Sequence, residues 1–463
     1  MTEENSNPKA EKQHAQRASL KREEATTAWR IAVNACRFPL ALALIFSGFV
    51  KAIDPLGTQY KIGDYLEALH WEQYVPSWAT LSTSVLLSTV EFCLGIFLLF
   101  AIRRRRVSRI IVVLMTVMTA ITVWLWGWNP IQDCGCFGDA IHLTNGQTLL
   151  KNIALLAMAG VVAWKPFCMM RFISKTNQWI VINYTMLFVL LTAGLSLWYL
   201  PPFDFRPYHI GADIRKGMEI PKGAKLPKLE TTFILEKGGV RKEFTLDNYP
   251  DSTWTFIDSK TVEVEKGYEP PIHDFSITDE ASGEDITTKV LAHKGYTFVL
   301  VAPYLEHADD TNFGDIDRIY EYAVDHHYPF LALTASGNDA VAHWRDITGA
   351  EYPFYITDGT TLKTIIRSNP GLLLLRNGVV INKWSHNDLP TQDELRAPLE
   401  TSALGKAPQN RVSERTTWVV LWFVLPLLVL TLADRTWQWT LWLRRRKSEN
   451  KVSTQADGPS DRS

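Results

Sequence analysis

Ile110-Ile111-Val112-Val113-Leu114-Met115-Thr116-Val117-Met118-Thr119-Ala120-Ile121-Thr122-Val123-Trp124-Leu125-Trp126-Gly127-Trp128, followed shortly by Asp133-Cys134-Gly135-Cys136-Phe137-Gly138-Asp139, is the stretch on which the reading of this chain turns. The apolar run carries no charge and reaches the roughly 20 residues that cross a bilayer. Its tryptophan-rich end suits the headgroup level, where amphipathic rings settle. Two cysteines one residue apart at such a mouth can be oxidised together or hold a soft metal. Their glycine neighbours allow the tight turn that a short loop needs.

Comparable runs predict a helical membrane bundle with spans at about 30–53, 77–101, 108–128, 147–165, 179–200 and 416–433. The chain has 463 residues, room for two or three domains. Many of its 17 tryptophans, such as Trp29, Trp78, Trp164, Trp179 and Trp198, fall at segment ends. The first run follows a charged tail (1–29) and lacks a small-residue cleavage site, so it reads as a retained helix. Lys9, Lys12, Arg17, Lys21, Arg22 and Arg30 precede it. Arg103, Arg104, Arg105, Arg106 and Arg109 fill the second turn. Lys165, Arg171 and Lys175 follow the fourth span, and Arg444, Arg445, Arg446 and Lys447 follow the sixth. The 129–147 loop has no Lys or Arg. The positive-inside rule then places every basic cluster in the cytoplasm, with the cysteine loop and the polar block 203–415 outside. The expected location is a bacterial inner membrane with both tails (1–29, 434–463) cytoplasmic. The periplasm, on the other side, permits cysteine oxidation. A net charge of −1 gives no reason to expect nucleic acid. The expected partners are the lipid bilayer and periplasmic client proteins.

The polar block opens with β signal over 205–265: Thr231-Thr232-Phe233-Ile234-Leu235 and Lys242-Glu243-Phe244-Thr245-Leu246 flank Gly238-Gly239, and 252–264 adds Thr, Trp and Val. Over 268–400 the rhythm becomes βαβα followed by a hairpin. Phe298-Val299-Leu300-Val301 and Phe330-Leu331-Ala332-Leu333 are strands, with helical periodicity at 313–326 and 338–347. Two closing strands follow around the Arg376-Asn377-Gly378 turn. This order predicts an α/β unit with a mixed sheet.

That order, with Pro271-Ile272-His273-Asp274-Phe275-Ser276-Ile277 ahead of it and Asn369-Pro370-Gly371 before the hairpin, resembles the periplasmic thioredoxin-like family over 268–400. The resemblance implies a cis Asn369-Pro370 bond. It fails where that family carries Cys-x-x-Cys, because this chain reads Ala302-Pro303-Tyr304-Leu305-Glu306-His307. Without thiols there is no dithiol chemistry, so the expectation is a retained scaffold.

The membrane part resembles the DoxX and MauE families over about 30–165, a four-helix core. The residues that carry the likeness are Ser47-Gly48-Phe49-Val50-Lys51-Ala52-Ile53-Asp54-Pro55, Glu91, and Cys134-Gly135-Cys136-Phe137-Gly138. MauE-type membership implies maturation of periplasmic proteins through disulfide handling. DoxX-type membership implies quinone-linked or redox-stress roles, so quinone is the cofactor to test.

Cys134 and Cys136 are the candidate dithiol. A Cys-x-Cys disulfide closes a very small ring and should be strained and oxidising. Asp133 and Asp139 would oppose thiolate formation. The rival is a soft-metal site of Cys134, Cys136 and His142, although zinc normally takes four ligands. Glu91 is the candidate buried acid, since a carboxyl group inside a membrane is expensive and faces a cavity or a partner. Lys51 and Asp54 read as a snorkelling boundary pair. Cys36 and Cys93 read as packing residues, Cys168 as idle, and His307, His326, His327 and His343 as structural. The first functional reading is a membrane thiol-disulfide oxidoreductase acting on exported proteins. The second is a non-enzymatic assembly or binding protein that docks clients on its α/β domain. A transporter built on Glu91 is the third, and no inverted repeat supports it.

Overall fold

The computed structural model describes residues 8–131, 134–225, 228–237, 240–245, 248, 250, 254–265, 267–407 and 411–456. The chain divides into two compact units, residues 1–205 with 409–463, and residues 206–408.

The first unit is helical. α1 (Pro8–Ile53), α2 (Pro55–Ala68), α3 (Ser77–Leu99), α4 (Arg104–Trp128), α5 (Asn145–Trp164) and α6 (Gln178–Trp198) follow in order. Six helices are long and apolar enough to cross a membrane, and the last of these spans runs over Val412–Arg444. That span is 33 residues long and continues well past the expected stop at Ala433-Asp434-Arg435. Asp434 is buried rather than a boundary charge. It accepts hydrogen bonds from Ser174 N (2.7 Å), Ser174 Oγ (2.6 Å) and Asn177 Nδ2 (2.7 Å), which tie the last span to the turn before α6.

α1 and α3 form the spine of the bundle. Two glycines allow it: a Cβ on Gly48 would collide with the Phe92 backbone, and one on Gly95 with Ile45 and Ala41. Small residues are what let membrane helices approach this closely, since lipid offers no hydrophobic drive between them. At the bundle end away from the cysteine loop, Arg37 is fully buried and donates to Leu98 O and Leu99 O, the last carbonyls of α3. A cation there satisfies orphan acceptors and complements the helix dipole. Near the C-terminus the helix widens into one π turn (420–424), and Tyr184 donates to the Trp422 carbonyl. Phe423 thereby stacks on Phe188 at 4.2 Å between ring centroids.

The second unit begins at Arg206. α7 (Ile214–Met218) is followed by β1 (Lys228–Lys237), β2 (Val240–Thr245) and β3 (Thr255–Glu265), an antiparallel sheet in the order β2-β1-β3. The expected turn at Gly238-Gly239 lies outside the described residues. Next come α8 (Thr287–Leu291), β4 (Tyr296–Ala302), α9 (Phe313–Asp325), β5 (Phe330–Thr334) and α10 (Asn338–Thr348). β6 (Phe354–Ile356), α11 (Gly359–Ile365), β7 (Gly371–Arg376) and β8 (Val379–Ser385) close the unit. These five strands form a sheet in the order β6-β5-β4-β7-β8. β4, β5 and β6 run parallel, whereas β7 is antiparallel to both β4 and β8, so the sheet is mixed as expected.

Strands buried on both faces explain the unbroken apolar runs of β4, β5 and β7. The core is built from Phe298, Leu300, Ile319, Trp344, Leu372 and Leu374. Asn377 and Gly378 both take positive φ in the β7–β8 hairpin, which the Asn-Gly pair supplies at little strain. The Asn369-Pro370 bond is cis. One boundary differs from expectation: residues 206–218 do not join the β-rich segment but pair with β8, through Gly211 N to Val380 O and Ile214 N to Gly378 O. The last span is built from α12 (Arg411–Val419) and α13 (Leu425–Ala456), which flank the π turn.

Candidate active site

Asn129 ends α4 in the left-handed region, and the chain then folds back as a loop to Thr144. Gly135 and Gly138 both need positive φ (60° and 53°), so the glycines on either side of Cys136 turn the loop tightly. Thr144 caps α5 with a full capping box to Gln147 and anchors the far end of the loop. Three further contacts seat the loop on the bundle. Tyr65 of α2 donates to Cys134 O at 3.0 Å, Ser47 of α1 donates to Cys136 O at 2.7 Å, and the Phe137 ring meets Phe46 edge-on at 5.4 Å.

Beneath the loop lies an ion pair that the sequence did not reveal as one. Lys51 Nζ stands 2.8 and 2.9 Å from the two Glu91 oxygens, and the side chains are 3 % and 2 % exposed. Lys51 is therefore not a snorkelling partner of Asp54. Asp54 instead accepts from Gly57 N and caps α2. The burial has a physical cause: α1 delivers Lys51 and α3 delivers Glu91 across the glycine-lined contact, and each neutralises the other in a medium that tolerates neither alone. Ser47 Oγ is also 2.7 Å from Glu91 Oε2, so one hydroxyl joins the buried acid to the backbone of Cys136.

Cys134 is buried, Cys136 is half-buried, and both are thiols in this structure. They line one small pocket together with Phe137, Ile141, Leu143 and Thr148. The Cys134 thiol gives its hydrogen bond to the Cys136 sulfur, which draws the Cys136 thiol down to about 6. Positive charge from Lys151 and then Lys51 acts in the same direction, against burial and the Glu91 carboxylate. Cys134 is pushed up by giving that hydrogen bond and by burial. The pair is thus split into one thiolate-forming sulfur and one that keeps its proton.

Asp133, expected to oppose thiolate formation, lies outside the described residues. Among the described residues the charges that act on Cys136 include Lys151, Lys51 and Glu91. Lys151 comes from α5, where its Nζ sits 4.1 Å over the Phe137 ring. Sequence neighbours of the cysteines could not show this. Among the described residues no group of three His, Cys, Asp or Glu side chains could hold a metal ion, so Cys134, Cys136 and His142 are not assembled as ligands. Cys36 and Cys168 pack against one apolar cluster of the bundle, and Cys93 is part of another.

In the second unit the turn after β4 is closed by its own polar groups. Leu305 N donates to Ser336 Oγ, and Ser336 Oγ donates to Glu306 Oε2 at 2.6 Å. That hydroxyl holds the Glu306 carboxyl below its ordinary range. Asn369 Nδ2 donates to Tyr304 O. Nearby, Ser368, His386 and Asp309 make a chain of contacts that sequence reasoning missed, with 2.8 Å from Ser368 Oγ to His386 Nδ1 and 3.6 Å from His386 Nε2 to Asp309. Ser368 Oγ also lies 2.5 Å from Pro370 O, so this hydroxyl helps to hold the turn before β7.

Residues 29–165 match the family model of methylamine utilisation protein MauE. Residues 229–266 match a domain of unknown function (DUF8463), which covers β1 to β3. No curated protein and no solved structure matches the chain. The chain is a multi-pass membrane protein whose MauE-like segment contains Ser47, Lys51, Glu91, Cys134 and Cys136.

Proposed function

We propose that this MauE-like membrane protein is a thiol-disulfide oxidoreductase that matures exported proteins through Cys134 and Cys136. The observation that carries the reading is the asymmetry of the pair: a half-buried Cys136 drawn down to about 6 beside a buried, proton-keeping Cys134. A low-pKa sulfur is a good leaving group, and leaving-group quality sets how readily a disulfide passes its oxidation on. In the forward direction a client thiolate attacks Cys136 Sγ of the oxidised pair and displaces Cys134, which takes up a proton. The second client thiolate then attacks the client sulfur of the mixed disulfide and expels Cys136 as thiolate. The client gains a disulfide, and the pair holds two electrons as a dithiol. Restoring the disulfide requires a two-electron, two-proton acceptor, and a membrane quinone would supply that chemistry.

In this reading the cysteine loop and the α/β unit face the periplasm, and both termini are cytoplasmic. Residues 268–400 serve as a thioredoxin-like scaffold that presents clients without redox chemistry of its own. The mixed sheet with its antiparallel closing hairpin supports that scaffold, and the sealed turn after β4 supports its lack of chemistry.

The test is capture of clients in cells. A Cys134→Ser variant cannot form the internal disulfide, but its Cys136 thiolate can attack a disulfide of an exported protein and release one client thiolate. With no Cys134 to expel the client from the mixed disulfide, reduction-sensitive adducts should accumulate. They should be absent from Cys136→Ser. Equal adducts from both variants, or none from either, would refute the exchange. A second reading, a non-enzymatic assembly protein with the thiols as a structural clip, rests on the completeness with which Tyr65, Ser47 and Phe46 already hold the loop. It predicts normal client oxidation in the double-serine variant.

A further inference from the structure

At the bundle end opposite the cysteine loop, the segment 165–172 runs beneath a cluster of arginines. Arg37 is well satisfied: four of its five guanidinium N–H donors are used, on Leu98 O, Leu99 O, Asn34 Oδ1 and Met170 O. Arg104 and Arg171 are not. Arg104 lies within electrostatic reach of both Arg37 and Arg171. It spends one nitrogen, Nη1, on Phe167 O and Met169 O. The Nε atoms of Arg104 and Arg171 are both buried with no hydrogen-bond partner. Among the described residues neither side chain has a carboxylate within ion-pair distance.

Three guanidinium groups gathered with no carboxylate ion-paired to Arg104 or Arg171 among the described residues repel one another, Cys168 being the one opposing group that acts on Arg104. Two N–H groups shut away from water also remain unsatisfied. Both penalties vanish if an oxyanion enters. The Nε edge of a guanidinium is a fork that fits phosphate oxygens in pairs. The rim names the source of that phosphate. Trp164, Phe167 and Met170 are exposed, apolar and adjacent to the cluster in sequence, and Arg105 lies over the Phe167 ring at 4.6 Å. A free anion has no use for such a rim, whereas acyl chains do. We propose that Arg104 and Arg171 bind the phosphodiester of an anionic phospholipid, with the exposed 164–170 side chains against its acyl chains. The site is independent of the thiol chemistry.

The experiment uses the full chain in nanodiscs of phosphatidylcholine, alone or with phosphatidylglycerol, and follows unfolding by tryptophan fluorescence. Phosphatidylglycerol should raise the midpoint by on the order of 5 °C near saturation. Arg171→Gln and the Arg104→Gln/Arg171→Gln double variant should lose most of that rise. Arg109→Gln, exposed on α4, should keep it, which separates a built site from diffuse attraction to charged lipid. Removing Arg104 also releases the Phe167 and Met169 carbonyls, so Arg171→Gln alone decides the matter if the double variant fails to fold. No rise in the native chain, an equal rise in Arg171→Gln, or the same rise from inorganic phosphate in phosphatidylcholine would overturn the proposal.

Discussion

The loop that carries Cys134 and Cys136 and the turn that follows β4 both sit at the exit of a buried element, and they differ in what their polar groups are left to do. After β4, Ser336 joins the Leu305 N–H to the Glu306 carboxylate and Asn369 Nδ2 donates to Tyr304 O, so the turn is held by short local bonds, although Asn369 Oδ1 is buried without a partner. At the end of the bundle the hydrogen bonds also hold the loop, yet charge stays unevenly shared between two sulfurs, Lys151, Lys51 and Glu91. Reactivity needs that unevenness, because a fully satisfied network stabilises its resting state and offers nothing to an incoming group. On the proposed reading, chemistry belongs to the helical unit and the turn after β4 has a structural role.

The largest expected effect tests that division directly. Cys134→Ser, Cys136→Ser and the double variant should each reduce client oxidation on the order of a hundredfold or more, with no further loss in the double, since the sulfurs act as a unit. Glu306→Gln and Ser336→Ala should leave oxidation per folded molecule unchanged. Complementation scored together with protein abundance reads both arms. Strong loss from Glu306→Gln at normal abundance would move the chemistry to the other unit.

Next in size is the Lys51–Glu91 pair. Glu91→Gln or Lys51→Met strands one buried charge or its donors, and should destabilise the bundle by about 3–5 kcal/mol, measured by denaturant or thermal unfolding in detergent. Lys51→Met combined with Glu91→Leu removes both and should recover most of that loss. If the folded double variant also recovers full thiol reactivity, the pair is architectural and the site is simpler than drawn here. Gly48→Ala should be milder, about 1–3 kcal/mol, because a Cβ there drives α1 from the Phe92 backbone. It should also slow thiol exchange, since Ser47 and Lys51 move with that helix face.

How much of this was legible in the sequence follows from the range of each interaction. Helix runs announce themselves by length and apolarity, and the β4–β5–β7 strands by short uninterrupted apolar stretches, so both architectures could be read. The Cys134–Cys136 pair was visible from its spacing at the end of a span, and Glu91 because a carboxyl group is costly inside a membrane. The partner of Glu91 was not, because Lys51 is 40 residues away and its neighbour Asp54 offered a simpler pairing. Only the close α1–α3 contact, hinted at by Gly48 and Gly95, brings them together. The buried role of Asp434 was hidden for the same reason: its donors, Ser174 and Asn177, lie far away in sequence. The positive charge on the thiols was not legible because Lys151 arrives from the next helix, whereas the aspartates considered beside the pair are sequence neighbours.

The smallest predicted effect probes that last point. The Cys136 thiol stands at about 6, with the Cys134 hydrogen bond as the first cause and Lys151 as the strongest positive charge acting on it. A depressed thiol pKa means that thiolate is present above that value and is lost as pH falls through it. Alkylation of Cys136, followed by mass spectrometry, should therefore be on its plateau at neutral pH and fall to half near pH 6. Lys151→Met removes a positive charge and so favours the protonated thiol. The midpoint should move upward by about half a unit to one unit, equivalent to about 0.7–1.4 kcal/mol between protonation states. Because Lys151 also lies over Phe137, the shift alone does not separate charge from loop position. Lys151→Arg keeps the charge and should leave the midpoint near its native value, while Phe137→Leu removes the ring and keeps the ammonium. A midpoint that rises equally in Lys151→Arg and Lys151→Met would mean that loop position, not charge, sets the thiol. The contrast between an electrically uneven loop and a closed turn would then rest on the Cys134 hydrogen bond alone.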